Sequence, residues 1–196
     1  MSVGKGGKLT GCVKRVIVPR GSITRRISRL ARRIADCYGD DELTVLAVLN
    51  GSLVFTADLL RRLPLRVSLQ SVYASSYPAC ATRSRGPRFG SLPADLKGRH
   101  VLIVDDILDS GATMTALRRA VEARGPASVR TCVLLRKNRP TAGERLKVDF
   151  VAFDIDDEFV VGYGLDFNDL YRNLPDICVL KDRFMKTPPG GGHARR

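Results

Sequence analysis

Two rhythms of apolar residues alternate along this chain. Unbroken apolar runs bounded by polar or glycine-containing turns mark buried strands, and apolar positions three and four apart mark helices. Runs of the first kind are Val13 to Val18, closed by Pro19, then Thr44 to Leu49, Leu65 to Ala74, Val101 to Val104, Val129 to Leu135 and Val148 to Ile155. Shorter extended pieces are expected at Phe159 to Tyr163 and Ile177 to Leu180. The second rhythm predicts a helix where Ile23, Ile27, Leu30, Ala31 and Ile34 recur, as far as the break at Gly39-Asp40-Asp41. Arg25, Arg26, Arg29, Arg32 and Arg33 surround that stripe and make its outer face basic. Helices over Leu53 to Leu63 and from about Thr113 to Glu122 complete the set. Strands alternating with helices predict an α/β fold on a doubly wound, mainly parallel twisted sheet.

Residues 1–10 and 186–196 are rich in glycine, proline and basic residues, and both are expected to be disordered. Residues 11–185 are left as one domain. Residues 75–98 read as a polar, structureless loop carrying Arg83, Arg85 and Arg88. A loop this long inside a compact domain is usually functional, often a lid.

Composition narrows the class. A hydrophobic fraction of 44% and a charged fraction of 27% are ordinary for a globular protein of 196 residues. No apolar run is long enough to span a bilayer, and the N-terminus lacks the apolar core of a secretory signal. The five cysteines, Cys12, Cys37, Cys80, Cys132 and Cys178, are scattered and form no CxxC pair, which suits reduced thiols in the cytoplasm. With only His100 and His193 beside them, a zinc site is not expected. The net charge of +13 is concentrated at the ends. Residues 1–40 hold ten Lys/Arg against two Asp, and residues 181–196 five against one. This pattern is read as a solvated basic surface suited to polyanionic substrates, in preference to a nucleic-acid contact.

The most informative stretch runs from Val101 to Thr113. Four apolar residues lead into Asp105 and Asp106; Ile107 and Leu108 follow, then Asp109, Ser110, Gly111, Ala112 and Thr113 at a helix start. A buried parallel strand would thus emerge at its carboxyl end, where open α/β sheets bind ligands. The small residues let backbone amides and hydroxyls surround an anion at the helix N-terminus. The acids upstream stand ready for hydroxyls or a metal. Together they point to a phosphorylated sugar.

Asp105 to Thr113 resembles the phosphoribosyl-pyrophosphate signature of the type I phosphoribosyltransferases. Leu134 to Lys137, Phe153 to Asp166 and Tyr171 to Pro175 resemble the purine-binding half of the hypoxanthine-guanine branch. With Leu49 to Asp58 and Ser76-Tyr77 included, the similarity covers roughly residues 13–181.

The resemblance implies a small hood formed by the N- and C-terminal segments of the domain, and it implies roles. Phosphoribosyl binding falls to Asp105, Asp106, Asp109, Ser110, Gly111, Ala112 and Thr113, with Asp109 also the catalytic acid/base. Pyrophosphate falls to Asn50, Gly51 and Arg172, although Asn50 stands where many relatives carry lysine, which removes one positive charge. Lys137, Phe159 and Val160 would take the purine. Ser76 and Tyr77 would open a mobile loop that closes over the reacting centre. Asp166, with Asp105 and Asp106, would serve magnesium. Read without the resemblance, Lys137 also fits a strand-end lysine, Phe159 a core aromatic, Asp166 a helix cap before Phe167-Asn168, and Arg172 a surface arginine.

The implied activity is purine salvage: phosphoribosyl pyrophosphate and hypoxanthine or guanine give IMP or GMP and pyrophosphate, with Mg2+. The family commonly forms dimers or tetramers, so a homodimer or homotetramer is expected. Two other readings remain: a regulator of the same fold that binds RNA, and an enzyme preferring xanthine or another base.

Overall fold

The computed structural model describes residues 10–75, 88–138 and 147–185. The main sheet has six strands in the order β4-β3-β2-β5-β6-β7. These are β2 (Leu43–Leu49), β3 (Val67–Ser75), β4 (Arg88–Phe89), β5 (His100–Leu108), β6 (Ser128–Lys137) and β7 (Phe150–Ile155). All neighbours pair in parallel except β3 and β4. Strand β1 (Val13–Val18) pairs antiparallel with β8 (Ile177–Leu180), bringing both ends of the described chain into a separate two-stranded sheet.

Helices cover both faces of the main sheet. On one side, α1 (Arg20–Tyr38) and α2 (Leu53–Leu60) share a core with Leu43, Val45, Leu102, Val104 and Leu134. On the other, α3 (Ala112–Glu122) packs Met114, Leu117 and Val121 against Leu46, Val48, Val101, Ile103 and Val133. Neighbouring β-strand residues feed opposite cores, because side chains alternate across a sheet. A short α4 (Asp182–Met185) follows β8. No helix among the described residues is long and apolar enough to cross a membrane.

Helix α1 buries the stripe read from its spacing, and Gly39 ends it with φ of 56°. Two of its arginines are held by aromatic rings of β7, Arg26 over Phe153 and Arg33 over Phe150. Its basic face is therefore partly a packing surface.

The structure departs from the sequence reading in several places. The 75–98 segment is not structureless: Arg88 and Phe89 pair with Ser75 and Ala74, and Leu96 is fully buried. Helix α2 stops at Leu60 instead of Leu63, its end tightening into turns in which Arg62 donates to Leu59 and Leu63 to Leu60 ahead of Pro64. Strand β6 extends to Lys137, whereas β7 begins only at Phe150. Phe159 to Tyr163 is no strand; Val161 and Gly162 make single bridges, and Tyr163 has φ of 52°. Ser76 and Tyr77, Cys80, Arg83 and Arg85, residues 1–9 and residues 186–196 lie outside the described residues. Cys12, Cys132 and Cys178 are buried free thiols, and Cys37 is exposed.

Candidate active site

Because β2, β5, β6 and β7 run in parallel, Leu49, Leu108, Lys137 and Ile155 all end at one edge of the sheet. The candidate residues project from this edge.

The loop after β2 lies at the centre. Its Leu49–Asn50 peptide is cis. A Cβ on Gly51 would fall 1.8 Å from Oδ2 and 2.6 Å from Cγ of Asp106, so only glycine fits beneath that carboxylate. On its other side Gly51 meets the turn after Val160: a Cβ on Gly164 would lie 2.3 Å from the Gly51 carbonyl oxygen. Gly164 has φ of 102°, a conformation that favours glycine.

That turn carries Arg172. The guanidinium donates to the Gly164 carbonyl at 2.9 Å, sits 2.8 Å from Asp166 Oδ1 and donates to Asp169 Oδ1 at 3.0 Å. The non-glycine residues with positive φ among the described residues are Tyr163, Asn168, Asp169 and Tyr171, all in this segment. Unusual backbone of this kind concentrates at functional sites. Asp166 does not cap a helix. Its carboxylate accepts the Asp169 N–H at 2.9 Å and closes a turn. Arg172 is not a bare surface arginine either, being two-thirds covered and fully engaged by its own segment.

The acidic pair of β5 is deeply set. Burial and the charge of Asp106 push the Asp105 carboxyl well above the usual carboxylate range. Burial raises Asp106 too, against hydrogen bonds from Asp105 and the Ile107 N–H and the positive charge of Arg172. Asp105 accepts the Asp106 N–H at 2.9 Å, and Asp106 accepts the Ile107 N–H at 2.8 Å. Buried repelling carboxylates of this kind favour a cation or hydroxyl donors beside them.

Beyond them Asp109, Ser110 and Gly111 lead into α3. Gly111 occupies the cap position with φ of 78° and has no side chain of its own to cap the helix. Ser110 Oγ faces the Ala112 N–H at 3.4 Å. Ala112 and Thr113 form the first turn, so their amides head the helix where its dipole favours an anion.

A family model for the phosphoribosyl transferase domain matches residues 19–168. This chain belongs to that family. It is 40% identical over 181 residues to the hypoxanthine-guanine phosphoribosyltransferase of Mycobacterium avium, covering 88% of each chain. It is 39% identical over 166 residues to the hypoxanthine phosphoribosyltransferase of Escherichia coli K12, covering 83% of this chain and 92% of that one. The Trypanosoma cruzi hypoxanthine phosphoribosyltransferase, solved with its product IMP, superposes with a TM-score of 0.78 at 36% identity, covering 87% of this chain and 96% of that one.

In this phosphoribosyltransferase the candidate purine side forms around the ends of β6 and β7. Lys137 is nearly buried, with Nζ 3.1 Å from Asp157 and 3.8 Å from Asp109. It is an ion-paired residue of the site edge, not a lysine left in solvent. Phe159 is 47% exposed, which excludes the core-aromatic reading. Phe167 meets it edge to face at 5.5 Å and leaves a ring surface open to a planar partner. Val160 is buried, so any contact it makes with a base falls to its backbone.

Asp105, Asp106 and Asp166 supply hard oxygens. Among the described residues no three His, Cys, Asp or Glu side chains converge to hold an ion unaided. The set fits an ion that keeps its waters and takes further oxygens from a substrate, not a cage built of protein alone.

Sequence reading passed over Asp157, Asp58 and Tyr163. Tyr163 donates its hydroxyl to Asp58 of α2, whose carboxylate also accepts Arg61. The pair ties the Gly162–Leu165 turn to the helix that follows the Gly51 loop. Its sequence signal was the tyrosine between two glycines; for Asp157 the signal was one acid too many before Phe159.

Proposed function

We propose that this chain transfers the 5-phosphoribosyl group of phosphoribosyl pyrophosphate to a 6-oxopurine, hypoxanthine or guanine, releasing pyrophosphate in purine salvage. The junction at Gly51 carries the reading. One small residue joins the carboxylate of Asp106 to the turn that holds Arg172, and the strand of Asp106 leads on into the start of α3. A diphosphate and a sugar phosphate are the ligands that need two anion sites flanking a diol-binding acid.

Ser110, Gly111, Ala112 and Thr113 hold the 5-phosphate through main-chain donors and hydroxyls. Asp105 and Asp106 orient the ribose hydroxyls. Asn50, Gly51 and Arg172 receive the diphosphate, whose charge grows as the glycosidic carbon takes on oxocarbenium character. Lys137 donates to the 6-oxo group, Phe159 stacks on the purine, and backbone groups of Val160 meet its edge. Asp109 exchanges a proton with the five-membered ring. The segment opening at Ser76-Tyr77 closes over the centre and excludes water. Asp105, Asp106 and Asp166 would offer oxygens to a hydrated magnesium ion, which would supply positive charge against the diphosphate. A cytoplasmic homodimer or homotetramer is the proposed setting, supported by exposed Leu69 and Tyr73 beside the edge of the sheet.

The test is a panel of hypoxanthine, guanine, xanthine and adenine, each with phosphoribosyl pyrophosphate and magnesium. Formation of IMP and GMP supports the reading. Turnover restricted to xanthine or adenine refutes the choice of base, and turnover of none refutes the activity.

A further inference from the structure

Lys137 has two acidic neighbours, and they are not equivalent. Asp157 Oδ1 lies 3.1 Å from Nζ, within reach of a charge-assisted hydrogen bond, while Asp109 Oδ2 lies at 3.8 Å, beyond it. The lysine side chain is only 11% exposed, which limits the positions its ammonium can occupy. A flexible four-carbon stem needs a partner to set its direction.

The backbone that carries Asp157 is itself fixed. It follows β7, whose last residue, Ile155, accepts the Asn138 N–H at 2.8 Å, and the Glu158 N–H donates to Asp156 at 2.8 Å. On the far side Arg15 of β1 grips both carboxylate oxygens of Glu158. Asp157 therefore stands on a segment pinned from the sheet and from the small β1–β8 sheet, one residue before Glu158 and two before Phe159.

Geometry assigns the two acids different work. The 3.1 Å contact with Asp157 orients the ammonium, while Asp109 adds a longer ion pair at 3.8 Å. We propose that Asp157 is a positioning residue that holds Lys137 for the 6-oxo group of the purine. This rests on the phosphoribosyltransferase reading above and extends it to a residue outside the base contacts.

The experiment compares Asp157→Asn, Asp157→Ala and Asp157→Glu with the unaltered protein. Steady-state constants are measured for hypoxanthine and for phosphoribosyl pyrophosphate, with calorimetric binding of IMP and of ribose 5-phosphate alongside. Asp157→Asn and Asp157→Ala should lower kcat/KM for hypoxanthine about five- to tenfold and weaken IMP to a similar degree. The KM for phosphoribosyl pyrophosphate and the affinity for ribose 5-phosphate should stay within about twofold. Asp157→Glu should recover part of the loss. Asp157 is 43% exposed, so melting temperatures should hold within about 2 °C, as for surface substitutions in general. Equal losses for both substrates, or unchanged use of hypoxanthine, overturn the assignment. An unaltered protein that uses no 6-oxopurine overturns the functional reading itself, and the role of Asp157 falls with it.

Discussion

The carboxylate of Asp106 rests directly on the α-carbon of Gly51, leaving no room for even a methyl group between β5 and the loop after β2. The two residues are far apart in sequence: Asp106 lies on β5, and Gly51 follows β2, the strand that pairs with β5 along Leu43–Ala47. Asp106 cannot swing away freely, because its other oxygen is held by the Ile107 N–H.

Gly51→Ala should therefore displace either the loop or the acid. The overpacking should cost about 1–3 kcal/mol of stability, read from urea unfolding. Misplacement near 1 Å at a reacting centre can cost about 10²-fold, so kcat/KM for phosphoribosyl pyrophosphate should fall on that scale. A variant with native stability and native kinetics would refute the contact.

Asp109→Ala should lower turnover by about 10²–10⁴-fold, the usual loss for a positioned acid/base. The fold should survive, since Asp109 is exposed. Turnover at the native level would remove Asp109 from proton transfer.

Lys137→Ala should weaken the use of hypoxanthine and guanine more than the binding of phosphoribosyl pyrophosphate. Competition binding with each substrate checks this, and parallel losses would count against base selection.

Tyr163→Phe removes the hydroxyl that Asp58 accepts. Losing a hydrogen bond to a charged group costs about 1.5–3 kcal/mol. Burial pushes Asp58 up, but hydrogen bonds from Tyr163 and Arg61 and the charge of Arg62 outweigh it and hold the carboxyl below its ordinary value of 3.8. The unfolded chain then binds more protons in that window than the native one. The stabilisation is complete above the ordinary value and is lost as pH falls through the lowered one. Melting curves from pH 7 to pH 3 should show a shallower acid limb in Asp58→Asn than in the unaltered protein. Superimposable limbs would contradict this.

Much of this architecture was legible in the residues. The stripe from Ile23 to Ile34 and the runs at Thr44 and Val101 obey local periodicity, which a linear reading captures. The loop from Asp109 to Gly111 at the head of α3 was legible because its small residues and acids are contiguous. The rest depended on contacts between distant residues. Nothing local tells Gly51 that Asp106 lies above it, or Asp157 that Lys137 faces it. The β4 pairing was hidden because two residues carry no period. Asp166 looked like a helix cap because an aspartate before a turn and one before a helix present the same local sequence; only the Asp169 N–H separates them.

The Gly51 junction draws one residue from each third of the polypeptide: Gly51, Asp106 and Gly164. Translation must therefore deliver almost everything before any pocket exists. A nascent chain paused after α3 already carries its signature strand and the Gly111 corner, yet lacks the segment that Arg172 braces. Such an intermediate offers only part of the proposed grip on the sugar diphosphate, so the site is complete only once the final segment has left the ribosome.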